Sequence, residues 1–284
     1  MELKPLLGLL GVLLAALTVE FNDGVIGAAL IDLRGGLGIS NDPGTWLTSL
    51  FSTGQVIGMS IATFWAVTVS IRHFALFAIV LSCASTVCIP LVPNLAVLYG
   101  LRLVEGLASG FTIPLLLTVA LQVLPPPVRL YGLAAYALTA TFGPNVSAAL
   151  AALWTDIVGW QFAFYEDLPL CALAGLLVWH GVAQQPPRYD RIRQFDWRGA
   201  LLVVAGFGAL TTLLEQGDRL DWFNSRLICV LALVSATALP LLVVNEGRVE
   251  LPLYKFSLLK RRNFAFGLTT LFTFLILLDF AHLG

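Results

Sequence analysis

Long apolar stretches recur along the whole chain and constrain its fold more than any other feature. A helix needs about 20 apolar residues to cross roughly 30 Å of hydrocarbon. Stretches of this length, separated by short polar breaks, predict nine transmembrane helices: 5–31, 46–68, 74–93, 95–123, 130–154, 161–183, 199–217, 226–245 and 264–284. The first stretch is too long for a secretory signal and eight more follow it, so we interpret it as a membrane span.

The composition agrees with a membrane protein. Hydrophobic residues occupy 58% of the 284 positions and charged residues occupy 12%. A soluble domain has roughly 45–50% apolar and about 25% charged residues, and its surface could not hide this apolar excess. The net charge of −1 gives no reason to expect a nucleic-acid partner. The sequence therefore predicts an all-α membrane protein.

The lysine and arginine residues are distributed unevenly between alternate loops. If the N-terminus is cytoplasmic, the outer segments hold only Arg34, Arg219 and Arg226, and Arg102 lies within a span. All other Lys and Arg residues then lie on the inside, as the positive-inside rule requires. This pattern predicts a multi-pass protein of the cell inner membrane with a cytoplasmic N-terminus.

A long basic loop divides the predicted spans into two groups. The segment 184–198 carries prolines and arginines and follows six spans, so it is a natural domain boundary. We expect a six-helix bundle at 1–183, a cytoplasmic loop at 184–198 and two linking helices at 199–245. The segment 246–284 would form a second cytoplasmic loop and the start of a C-terminal bundle. The last span stops at Gly284 without a polar tail, which indicates a truncated sequence.

Ionisable residues inside spans are costly, about 2.5–3.5 kcal/mol at a helix centre on translocon scales, and are therefore informative. Glu20 and Asp23 lie three residues apart in the first span, as Arg102 and Glu105 do in the fourth. Each pair shares one helical face. We interpret them as a protonatable path or a cation site facing a wet cavity. The alternative for Arg102 and Glu105 is a structural ion pair.

Two further acidic residues begin the sixth span. Glu166 and Asp167 lie near its outer end, so they are weaker candidates for the same path. The favoured interpretation places both at the interface between membrane and water.

Small residues and proline mark positions of close packing and bending. Gly106 and Gly110 have the spacing that lets two membrane helices approach closely. Gly143 and Pro144 would bend the fifth span, either as a hinge or as a passive kink. The three histidines fit interfacial positions better than metal ligands. No metal, cofactor or nucleophile–base arrangement is predicted, which disfavours an enzyme.

Several segments resemble a known family. They are GTWLTSLF at 44–51, LLEQGDRLDWFNS at 213–225 and LPLYKFSLLKRRNF at 251–264. These segments resemble the fourteen-span drug:proton antiporter family of the major facilitator superfamily, and the similarity covers essentially the whole chain. It looks like the N-terminal part of such a protein: six spans, two linking spans and the start of the second bundle.

The functional motifs of that family match unevenly. Arg102 fits the fourth-span motif R-x-x-Q-G, in which Glu105 replaces the glutamine. Gly143 and Pro144 fit the first half of the antiporter motif G-P-x-x-G-G. Asn22 falls where the first span usually has aspartate, and Asp23 follows it. The segment 64–73 lacks the glycine- and aspartate-containing gating motif of the family.

The resemblance implies proton-coupled export of a small amphipathic organic compound. Protonation of Glu20, Asp23 or Glu105 would weaken charge interactions, including any with Arg102, and two bundles would rock about a central site. The implied partners are a small-molecule substrate, protons, the lipid bilayer and the remaining C-terminal half, with a periplasmic adaptor as a further candidate. The altered segment 64–73 favours the alternative, a transport-inactive membrane sensor or assembly partner of the same family.

Overall fold

The computed structural model describes most of the chain outside the predicted fifth span. The described residues are 3–28, 34–35, 38, 40–92, 94–122, 129–132, 134, 146–147, 149–150, 153, 157 and 162–282. Within these helices, some side chains, among them Glu20, Asp23 and 275–282, lie outside the described part.

The described residues form helices joined by short connections. The α-helices are α1 (Leu3–Ala28), α2 (Asn41–Val69), α3 (Ile71–Cys88), α4 (Leu95–Gln122), the single turn α5 (Phe162–Tyr165), α6 (Asp167–Gly181), α7 (Trp197–Gln216), α8 (Arg226–Glu246) and α9 (Arg262–His282). Short 3₁₀ turns occur at Ile89–Leu91, Tyr189–Gln194, Trp222–Asn224 and Phe256–Lys260. The described part of the chain contains no strand, so the all-α prediction is confirmed.

Five of these helices are long and apolar enough to cross a membrane: α2, α3 with the turn that follows it, α4, α7 and α8. Shorter apolar segments lie in α1, at Lys4–Val19, and in α6, at Asp167–Gly181. The predicted fifth span falls mostly outside the described residues.

The junction between α2 and α3 differs from the prediction. α3 begins at Ile71 instead of 74, and only Ser70 separates it from the end of α2. Ser70 has φ 108° and ψ 134°, a conformation that side-chain-bearing residues rarely adopt. Such a backbone costs on the order of 1–3 kcal/mol and persists where the surroundings impose it. Residues 69–73, which were expected to be a loop between the second and third spans, are therefore helical except at Ser70.

The helices pack in a definite order. α2 lies against α4, α1 lies against α6, and α3 contacts both α4 and α6. An apolar core, which includes Val12, Ala78, Leu116, Ala174 and Val178, fills the space between them. α7 packs on α2, and α8 packs on α7. This order places the polar residues of α1, α3, α4 and α6 inside one bundle.

Candidate functional site

A buried ion pair lies at the centre of the candidate site. Nη1 of Arg102 is 2.7 Å from Oε2 of Glu105, and the side chains are only 1% and 2% exposed. Both residues lie on α4, and their spacing of three puts them on the same face. Removing one charge of such a pair would leave the other charge uncompensated in a medium of low dielectric constant.

Neighbouring helices complete the surroundings of the ion pair. Thr86 of α3 donates a 2.8 Å hydrogen bond to Oε1 of Glu105, and Nε of Arg102 donates a 3.1 Å bond to the carbonyl of Leu47 on α2. The guanidinium of Arg102 also lies over the ring of Phe51, 4.5 Å from its centroid. The pair is thus held by three helices, and any change in its charge acts on all three.

Glycines bring α2 and α4 close enough for these contacts. A Cβ atom added at Gly106 would lie 2.1 Å from the carbonyl oxygen of Phe51, and one at Gly110 would lie 2.1 Å from that of Gln55. Neither position could hold a side chain without moving backbone. The structure therefore places the two predicted packing glycines directly at the α2–α4 contact.

The facing helix carries a matching pair of glycines that the sequence reasoning missed. A Cβ atom at Gly54 would lie 2.3 Å from the carbonyl oxygen of Leu103, and one at Gly58 would lie 2.5 Å from that of Leu107. Their spacing of four residues is the same small-residue signal that Gly106 and Gly110 show. It was present in the sequence of α2 and could have predicted this contact.

Asp167 lies in the protein interior and not at an exposed helix end. It is the first residue of α6, and it is 4% exposed. Asn22 of α1 lies beside it and is 3% exposed. Neither amide atom of Asn22, nor Oδ1 of Asp167, has a hydrogen-bond partner within the described part of the chain. Asp167 is also close enough to Glu105 and Glu166 to interact with their charges.

Several other predicted site residues fall outside the described residues. This applies to the side chains of Glu20 and Asp23, although their backbone belongs to α1, and to Gly143 and Pro144 entirely. A described residue of the same antiporter-like motif, Ser147, is buried, and a Cβ atom at Gly24 of α1 would lie 2.0 Å from its Oγ. Ser147 thus contacts α1.

A polar seam joins α7 to α2 beside the bundle. Nε2 of Gln216 donates a hydrogen bond to Oγ of Ser49, and Nε of Arg219 donates a 2.6 Å bond to Oε1 of Gln216. The hydroxyls of Thr53 and Thr212 lie 3.0 Å apart further along the same contact. Gln216 and Arg219 belong to the segment LLEQGDRLDWFNS, which carries the family resemblance. The sequence alone did not indicate which helix this segment contacts.

The loop between α6 and α7 covers the α2–α3 junction. The amide of Arg188 donates a 2.8 Å hydrogen bond to the carbonyl of Thr68. The ring of Phe195 packs on Phe64 and Trp65, with centroids 4.7 and 5.3 Å apart. The segment that lacks the gating motif is therefore held by aromatic and backbone contacts.

The loop after α8 is anchored on the same side. The hydroxyl of Tyr254 donates a 2.5 Å hydrogen bond to Oγ of Ser60 on α2, and its amide donates a 3.0 Å bond to Glu246. Burial raises the pKa of the Tyr254 phenol, so this group is a neutral hydrogen-bond donor at physiological pH. Asn245 also donates a hydrogen bond to Asp196, which caps the start of α7. Both loops thus tie α7 and α8 to α2.

The described side chains include no group of three or more His, Cys, Asp or Glu that could hold a metal ion.

Long apolar helices packed around a buried ion pair define a polytopic α-helical membrane protein. The family model of the Major Facilitator Superfamily matches residues 12–282, so the chain belongs to this superfamily.

Curated relatives of the chain are named as export proteins. The chain is 31% identical over 244 residues to the probable multidrug resistance protein EmrY and 29% identical over 244 residues to the multidrug export protein EmrB, both of Escherichia coli K12. These alignments cover 86% of the chain and 47% of each relative. The fatty acid resistance protein FarB of Neisseria gonorrhoeae is 28% identical over 236 residues, which are 83% of the chain and 46% of FarB. The chain thus spans about half the length of these relatives.

A solved structure shows a similar fold. The proton:xylose symporter XylE superposes with a TM-score of 0.57 at 16% identity, over 85% of the chain and 56% of XylE. At this identity the likeness concerns the fold alone, and it agrees with a major-facilitator bundle of α-helices.

Proposed function

We propose that the chain is the N-terminal portion of a proton-coupled exporter of small amphipathic organic compounds. The superfamily and the export proteins among its relatives support transport of drug-like compounds. The comparisons give no support to a transport-inactive sensor or assembly partner.

The observation that carries the proposal is the buried ion pair of Arg102 and Glu105. A cation and a carboxylate this deeply buried are expensive to keep in a membrane helix, where charged residues usually mark an ion or proton pathway. If Glu105 accepts a proton, its attraction for Arg102 falls, and Arg102 becomes free to reorganise its contacts with α2. Glu20 and Asp23 on α1 are the further proton-coupling candidates.

The proposed mechanism turns this local change into motion of the bundle. The ion pair touches α2, α3 and α4, so its protonation alters contacts between rigid helices. In transporters built from two bundles, such changes shift the balance between inward-open and outward-open states around a site near the bilayer midplane. We propose that Gly106 and Gly110 provide the close contact within the moving bundle, and that Gly143 and Pro144 act as a hinge.

The proposed setting is the cell inner membrane, with the N-terminus and the loop 184–198 in the cytoplasm. A six-helix bundle at 1–183 and two linking helices at 199–245 would precede a second bundle that starts within 246–284. Transport would require this C-terminal half, because substrate and coupling sites lie between two bundles. A periplasmic adaptor is a further proposed partner.

Everted membrane vesicles test the proposal. The chain would be expressed alone, together with a C-terminal half from the same gene, or as the complete gene product. Vesicles with both halves should take up a fluorescent amphipathic dye when respiration acidifies their lumen, and an uncoupler should abolish the uptake. Vesicles with the chain alone should show none. Dye uptake that persists after the proton gradient collapses would contradict proton coupling.

A further inference from the structure

Asp167 and Asn22 are buried polar residues that take no part in the ion pair of Arg102 and Glu105. Asp167 is 4% exposed and Asn22 is 3% exposed, and they approach each other from α6 and α1. Oδ1 of Asp167 and both amide atoms of Asn22 lack hydrogen-bond partners among the described residues. Burying polar atoms in this way is costly unless a ligand or a change of protonation satisfies them.

We propose that Asp167 is a reversible proton-binding residue, and that Asn22 positions its carboxyl group. A proton is the smallest ligand that satisfies such a site. It turns the carboxylate into a neutral carboxylic acid with one O–H donor, which the amide oxygen of Asn22 can accept. The amide NH₂ of Asn22 can instead donate to the carboxylate, so the same residue serves both forms.

The charge of Asp167 depends on the titratable and charged groups around it. Glu105, with its partner Arg102, faces it from α4, and Cys83 faces it from α3. The carboxyl group of Glu166 lies next to it, just before α6, and the thiol of Cys171 lies near it on α6. On α1 it meets Asn22, and the side chains of Glu20 and Asp23 on that helix lie outside the described part.

Opposing influences then act on one carboxyl group. The start of a helix favours a negative charge, because the first backbone N–H groups point toward it. Burial and the nearby carboxylates of Glu166 and Glu105 oppose that charge. When the O–H bond breaks, the electron pair stays on the carboxylate oxygen and the proton passes to water. The new negative charge at Asp167 repels the carboxylate of Glu105. Deprotonation of Asp167 therefore changes the electrostatic energy of the Arg102–Glu105 ion pair.

Infrared difference spectroscopy on the purified 284-residue chain in lipid nanodiscs tests this inference. Spectra recorded at several pH values should show the C=O stretching band of a buried protonated carboxyl group. The band should be lost in Asp167→Asn and kept at a shifted frequency in Asp167→Glu. Asn22→Leu should shift it, because the hydrogen bond proposed between the protonated carboxyl group and the amide of Asn22 can no longer form. Glu215→Gln, which changes an exposed carboxyl on α7, is the matched control and should leave the band unchanged.

An Asp167→Asn spectrum identical to that of the wild type would overturn the inference. If that variant fails to fold, an unshifted band in Asn22→Leu would do the same. The inference rests on the proposed proton coupling for its role in transport, but the two can fail separately. The expected band without proton-dependent dye uptake would defeat the proposed function alone. Proton-dependent uptake without an Asp167-dependent band would defeat the inference alone.

Discussion

Nε2 of Gln216 lies 2.6 Å from Oγ of Ser49, across the contact between α7 and α2. Gln216 is completely buried, and its amide oxygen accepts a hydrogen bond from Arg219. One side chain therefore holds α7 on α2 and contacts Arg219 in the turn that follows α7. Interhelical hydrogen bonds in membranes contribute about 0.6 kcal/mol on average and up to about 1.7 kcal/mol.

We predict that Gln216→Leu destabilises the protein by about 1–2 kcal/mol, because it leaves the buried hydroxyl of Ser49 without this partner and removes the hydrogen bond from Arg219. Thermal unfolding of the purified chain in detergent measures the effect. Thr237→Val is the control, since the Thr237 hydroxyl is exposed and bonds only to carbonyls of its own helix. Equal melting temperatures for the two variants would show that the seam contributes nothing.

The glycine contact between α2 and α4 gives a second prediction. Gly106→Ala should destabilise the protein by about 1–3 kcal/mol, the usual cost of overpacking, because the new methyl group would meet the backbone of Phe51. Gly110→Ala should behave alike against Gln55. The control is Gly100→Ala on the same helix, where no described atom beyond the neighbouring residues and local backbone of α4 lies within 4 Å of the added carbon.

Thermal unfolding in detergent separates these glycine variants. Gly100→Ala should be neutral or slightly stabilising, because alanine is the better helix former by about 1 kcal/mol. A similar loss of stability in Gly100→Ala and Gly106→Ala would attribute the effect to the helix itself and not to its contact with α2.

Because Arg102 and Glu105 form an ion pair, we expect substitutions at these two positions to have strongly non-additive effects on the free energy of unfolding. Either Arg102→Met or Glu105→Gln alone should cost about 3–5 kcal/mol, because each leaves a buried charge uncompensated. The double variant should cost much less than the sum, since no charge remains. A double-mutant cycle on unfolding free energy measures the coupling. Additive effects would show that the two charges are stabilised independently.

The sequence could predict the helices because the bilayer imposes a simple rule on every span. The predicted spans of about 20 apolar residues correspond to α2, α4, α7 and α8, and the ends of these helices lie within a few residues of the predicted ends. The junction at Ser70 could not be predicted, because neither glycine nor proline marks the chain reversal there. Residues 69–73 were predicted to be a loop because they include Arg72 and His73, which lie in the first turn of α3.

The candidate site could be predicted only in part, because sequence spacing reports contacts within one helix but not contacts between helices. A spacing of three residues is enough to pair Arg102 with Glu105, because both lie on one helix. The contacts of Gln216 with Ser49 and of Asn22 with Asp167 join residues far apart in the chain. Such contacts depend on how helices pack, which a single sequence does not encode locally. The position of Asp167 near a span end favoured an interfacial location, and only the packing of α1 against α6 shows its burial.

The last prediction concerns the orientation of α7, whose two ends are expected to lie on opposite sides of the membrane. α7 has 20 residues, or about 30 Å of helix, which is the thickness of the hydrocarbon core. Arg193 precedes it and Asn224 follows it, and both are exposed. From the concentration of Lys and Arg around Arg193, we predict by the positive-inside rule that this end is cytoplasmic. On a background without Cys83, Cys88, Cys171 and Cys229, we expect Asn224→Cys to react with an impermeant maleimide in intact cells. Arg193→Cys should react only after the cells are opened, which also controls for its intrinsic reactivity. The reverse pattern would invert the topology, and labelling of both positions in intact cells would show that α7 does not cross the membrane.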